Sequence, residues 1–100
     1  MAKSITVSIP HKVTREDAKR RVMSGLAEYK TKFATMAQID EHWTGDHMDL
    51  KATGMGQTVT ARLDITDNAV VVQLDLPWMF AMMAGRIQGE LETEGRKLLQ

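Results

Sequence analysis

Apolar and polar residues alternate along this chain with a period that changes three times. Ile5, Val7 and Ile9 alternate with Thr6 and Ser8, which predicts a half-buried strand ended by Pro10. Thr14 then stands three residues before Asp17, a variant of the capping box, and opens a helix at about residue 15. Ala18, Val22, Leu26, Tyr29 and Phe33 share one face of that helix, with Arg15, Lys19, Arg20 and Lys30 largely off it. From residue 37 the period returns to two. Ile39 and Trp43 bracket a strand, and Thr44-Gly45-Asp46 turns into Met48, Leu50 and Ala52. Gly54-Met55-Gly56 turns into Val59, Ala61, Leu63 and Ile65, and Asp67-Asn68 into Val70, Val72, Leu74 and Leu76. Pro77 suits a first helical turn, with Asp75 near its amides, and a helix is expected from there to about Leu99. Phe80, Met83, Ile87, Leu91 and Leu98 supply its buried stripe.

The expected fold is α+β, of order β-α-β-β-β-β-α. Turns this short imply an antiparallel meander with one wet face, so both helices belong on the other face of a five-stranded sheet. The first helix carries the chain across the sheet and sets the first strand beside the last, in the order 2-3-4-5-1. This two-layer sandwich resembles a reduced helix-grip domain, an analogy of layout that says little about activity. At 100 residues, one domain over residues 1–100 is expected.

Residues 77–84, Pro-Trp-Met-Phe-Ala-Met-Met-Ala, are apolar without interruption. A helix on one side of a small domain needs one apolar stripe, so Trp78, Met79 and Met82 exceed what one core can hide. This block is the candidate contact surface, comprising Trp78, Met79, Phe80, Met82 and Met83. The competing reading keeps Phe80 and Met83 in the core and uses the others to close the sheet or form a homodimer.

Charge changes the picture little. Thirteen cations balance thirteen anions, with eight cations against three anions before residue 37 and two against seven from there to residue 76. The basic first helix could meet phosphate through Lys12, Arg15, Lys19, Arg20 and Arg21. No aromatic residues are interleaved with them and the net charge is zero, so a solvated face is expected and nucleic acid is not an expected partner. No cysteine is present, which excludes disulfides, thiolate metal sites and cysteine nucleophiles. No apolar run approaches the roughly 20 residues of a membrane span, and a cytoplasmic location is the default.

Candidate chemistry is sparse. Walker, Gly-x-Gly-x-x-Gly, Gly-x-Ser-x-Gly and His-Glu-x-x-His motifs are absent, and Gly54-Met55-Gly56 reads as a tight turn requiring positive φ. His42 and His47 lie near Asp40, Asp46 and Asp49, but both fall on the polar parity of their strands, so no metal site and no cofactor are expected. Glu41 falls between Ile39 and Trp43 on the inward parity. Desolvation there would raise its pKa and fit it for acid-base or ligand-binding work; pairing with Lys30 or Lys32 is the plainer alternative. A lone carboxylate does not support an enzyme assignment.

Four motifs occur in order: Ser8-Ile9-Pro10-His11, Glu41-His42-Trp43-x-Gly45-Asp46, Gly56-Gln57-x-Val59 and Leu76-Pro77-Trp78. From Ile5 to about Leu98 the chain resembles the polyhydroxyalkanoic acid system protein family, whose genes lie among those for making and using bacterial storage polyester granules. The resemblance implies a role at the granule surface or on a pathway protein, and brings no catalytic residues. A non-enzymatic accessory or binding protein is therefore expected, contacting its partner through residues 78–83. The alternative is a hydroxyacyl- or fatty-acyl-binding protein, or a weak enzyme, using the sheet–helix cleft near Glu41 and Trp43. Against it, two helices packed on five strands at normal density leave little spare volume.

Overall fold

The computed structural model describes residues 3–32 and 34–100. Phe33, expected on the first helix's apolar face, lies outside the described residues. The element order is β1 (Lys3–Pro10), α1 (Arg15–Lys32), β2 (Gln38–Thr44), β3 (His47–Gly54), β4 (Gln57–Ile65), β5 (Ala69–Leu76), a 3₁₀ segment (Trp78–Met83) and α2 (Ala84–Leu99). All strand pairs are antiparallel, in the order β1-β5-β4-β3-β2. The expected five-stranded α+β architecture is the observed one, and α1 makes the crossing from one sheet edge to the other.

Strict alternation sets the register. Trp43 faces Met48, Met48 faces Leu63, Leu63 faces Val72 and Val72 faces Val7, one row across the sheet's inner face. The next row runs Glu41, Leu50, Ala61, Leu74, Ile5. Ile5, Val7, Ile9, Met48, Leu63, Ile65, Val70 and Leu76 are buried against Ala18 and Val22 of α1 and Ala84 and Leu99 of α2. A slip of one residue in any pairing would turn such a row outward, so burial of one face specifies the register.

The caps follow the local chemistry. The Asp17 amide donates to the Thr14 hydroxyl at 3.1 Å, which caps α1. The Asp17 carboxylate turns instead to Arg20 and Arg21. Met55 and Gly56 both have positive φ, 53° and 75°, so the β3–β4 connection is the tight turn expected. His11 is buried; its Nε2–H donates to the Thr66 carbonyl and its backbone N–H to the Asn68 carbonyl, pinning the end of β1 to the β4–β5 turn.

Three expectations about the C-terminal region are corrected. Residues 78–83 form a 3₁₀ turn rather than the start of the α-helix, with the Phe80 amide bonded to the Pro77 carbonyl at 2.9 Å. Asp75 does not serve the helix amides: it points to the outer sheet face, where the Ser4 hydroxyl donates to it at 2.6 Å. The tighter winding rotates Met83 off the buried stripe, and it is exposed while Phe80, Ile87, Leu91 and Leu98 pack against the core.

Candidate functional site

Two apolar features stand out. The first is the 3₁₀ segment. Trp78 is 70% exposed and Met82 99%, with Met79 and Met83 about half exposed beside them. Of the five candidate contact residues, Phe80 alone packs against the core, as an anchor that holds the other four out. A 3₁₀ turn places side chains at three-residue intervals nearly in line, so Met79 and Met82 stand one above the other.

The second feature is a cavity of about 350 Å³ between the inner sheet face and the two helices. Its floor is Met48 and Leu50 of β3, Ala61 and Leu63 of β4, and Val70, Val72 and Leu74 of β5. Leu26 and Tyr29 of α1 and Ile87, Leu91 and Leu98 of α2 form its walls. The cavity explains why Leu50, Val72 and Leu74 are only half-buried although they lie toward the middle of the sheet. It overturns the expectation that packing leaves little spare volume. The helices are held close at one end: a Cβ on Gly25 would lie 2.8 Å from Leu98 Cδ1, and one on Gly95 would collide with Ile9. Ala61, the smallest side chain in its row, leaves space beneath them.

The mouth is acidic. Glu90 and Glu94 line it together with Tyr29. Tyr29, expected on the buried face of α1, is instead 38% exposed at this rim. Desolvation raises its phenol pKa first, and the carboxylates of Glu94, Glu90 and Glu28 raise it further. Among the described residues lining the cavity there is no Lys, Arg or His. Glu90 and Glu94 fall off the apolar stripe of α2, and periodicity gives the side of a helix but not its distance from its neighbour, so the pattern alone does not mark them as lining a cavity.

Glu41 and Trp43 are brought together, but outside this cavity. Both face inward as their parity predicts; the Trp43 indole N–H donates to Glu41 at 2.8 Å, and Lys30 of α1 pairs with the other carboxylate oxygen. Lys30, with help from the indole, holds the Glu41 pKa below the usual carboxylate value against the opposing effect of burial. The reading of a pKa raised by desolvation is therefore corrected: Glu41 is an ionised tether between α1 and β2. Lys19 sits 5.0 Å over the Trp43 ring, closing this corner from the other side.

The remaining cations of α1 are largely committed within the fold. Arg15 bridges Asp67 and Asp46, Lys19 donates to the Gly45 carbonyl, and Arg21 reaches the Leu98 and Gln100 carbonyls. On the outer face His47 lies between Asp64, at 2.7 Å, and Asp49. Among the described residues, no three His, Asp or Glu converge as metal ligands, and no helix is long and apolar enough to cross a membrane.

Fold and surfaces together define a small α+β sandwich with an apolar cavity under its helices and an exposed apolar turn at one corner. Residues 5–99 match the family model described as "Putative polyhydroxyalkanoic acid system protein", and the chain belongs to that family. Among solved structures, the crystal structure of Ara h 8.0201 is similar over 99% of this chain and 95% of that one, at 10% sequence identity and a TM-score of 0.44. Nothing is carried over from it. A search of curated proteins gave no significant match.

Proposed function

We propose that the chain is a non-enzymatic accessory protein of polyhydroxyalkanoate metabolism that attaches to the storage granule through its 3₁₀ turn. The observation that carries this reading is the joint exposure of Trp78, Met79, Met82 and Met83 on six consecutive residues, in a chain whose family is tied to that polyester. Methionines adapt to an irregular apolar surface, and an indole gives area at little entropic cost. The surface of an ester polymer is apolar and irregular, and the turn needs no shaped pocket to meet it. Support for a non-enzymatic role comes from Glu41, whose carboxylate is held by Lys30 and Trp43. A pathway protein or a second copy of the chain are the competing occupants of the same turn.

The test is sedimentation with washed native granules and, separately, with liposomes. The protein is expected to pellet with granules and not with liposomes, and Trp78→Asp to remain in the supernatant with its far-ultraviolet dichroism intact. A variant that still pellets as wild type would sink the assignment of contact to this turn.

The cavity favours a second reading, in which the protein binds a small apolar molecule. At about 350 Å³ it falls at the low end of ligand pockets, roughly 300–1,000 Å³. A hydroxyacyl or fatty-acyl chain would lie along Leu50, Leu74 and Leu91 rather than beside Glu41 and Trp43.

A further inference from the structure

The small-molecule reading can be taken further, because the cavity's charge pattern selects among apolar ligands. We propose that the cavity between α1, α2 and the sheet takes an uncharged chain, such as an alcohol or ester, and rejects the corresponding carboxylate.

Three observations carry this. Apart from Tyr29 at the rim, the floor and walls are aliphatic or thioether side chains, so a bound chain gains chiefly from leaving water. Its head group must then sit at the mouth, beside Glu90 and Glu94, where no lining cation answers a negative charge. The cations nearest those carboxylates are Arg86, 3.8 Å from Glu90, and Lys97, 3.7 Å from Glu94, both on the solvent side and neither lining the cavity. These exposed pairs only partly screen the glutamates. A carboxylate at the mouth would therefore lose hydration next to like charge, which disfavours it on both counts. An alcohol or ester head meets no charge repulsion and a much smaller loss of hydration. At about 30 Å³ per non-hydrogen atom, the share water occupies in the liquid, the cavity holds roughly a dozen such atoms.

The matched probes are n-decanol and decanoate, of equal chain length and close to that size, followed by methyl-region NMR at neutral pH. Decanol is expected to bind at least about tenfold tighter, with shifts confined to Leu, Ile, Val and Met around the cavity. Replacing both mouth carboxylates, Glu90→Gln with Glu94→Gln, should raise decanoate affinity until the two ligands lie within about threefold, leaving decanol unchanged. Ala61→Leu and, separately, Leu50→Phe should each weaken decanol at least about tenfold while the thermal transition stays cooperative. Equal binding of the two probes by the wild type, or a preference that survives loss of both glutamates, overturns the charge selection. Failure of decanol to bind overturns the charge selection and the small-molecule reading with it. Decanol binding that is lost in Trp78→Asp, or kept in both filled variants, places the site on the 3₁₀ turn and overturns the proposal. None of these results bears on granule sedimentation, so the two readings fail separately.

Discussion

Gly89 and Gly95 lie on the same helix and carry opposite expectations. Nothing stands within 4 Å of a Cβ built on Gly89, whereas one on Gly95 runs into Ile9 Cδ1. Gly89→Ala should therefore stabilise the fold by about 0.5–1 kcal/mol, the ordinary gain in helix propensity. Gly95→Ala should destabilise it by about 1 kcal/mol, because overpacking outweighs that gain. Ile9→Val removes the colliding atom, so in urea denaturation the double variant should be more stable than the sum of the single changes. Glu41 gives a pH signature. Its folded pKa lies below the unfolded value near 4.5, so the Lys30 pair contributes above that pH and is lost as pH falls through the folded value. Glu41→Gln should cost about 1 kcal/mol at pH 7, and the two proteins should converge in acid. Inward parity of Glu41 was readable from Ile39 and Trp43, but the direction of its shift was not. That depended on which α1 cation reached it, and the 18-residue helix offers several.

At the level of elements, period-two alternation was enough to place every strand, because one face of the sheet is buried and the other wet. Tight turns at Gly45 and at Met55-Gly56 then allowed only antiparallel neighbours. The 3₁₀ turn was not readable in the same way. Apolar residues on all sides fit either winding, and Pro77 opens both. What could be read was the excess of apolar surface, and the structure leaves it exposed. Within this turn the residues divide by role. Phe80→Ala should lower stability by about 2 kcal/mol, since Phe80 packs against the core, while Trp78→Ala should change it by less than about 0.5 kcal/mol. Thermal denaturation of the two variants measures the contrast. Similar losses would mean that Trp78 also anchors the turn.

Over the whole molecule, the unread feature is the cavity. Hydrophobic pattern identifies which side chains face a core, yet the separation of two helices from a sheet depends on where they touch, here at Gly25–Leu98 and Gly95–Ile9. The exposed turn and the cavity are separate surfaces: none of residues 78–83 lines the cavity. A granule-bound protein could thus keep its cavity accessible to solvent. The contact itself is most directly measured at Trp78, in a Trp43→Phe variant that leaves it the sole tryptophan. Acrylamide quenching of its emission should be efficient in solution, because the indole is 70% exposed, and should fall severalfold on adding washed polyester granules while remaining unchanged with liposomes. Quenching that stays efficient while the protein sediments with granules would contradict the account, because attachment would then run through another surface.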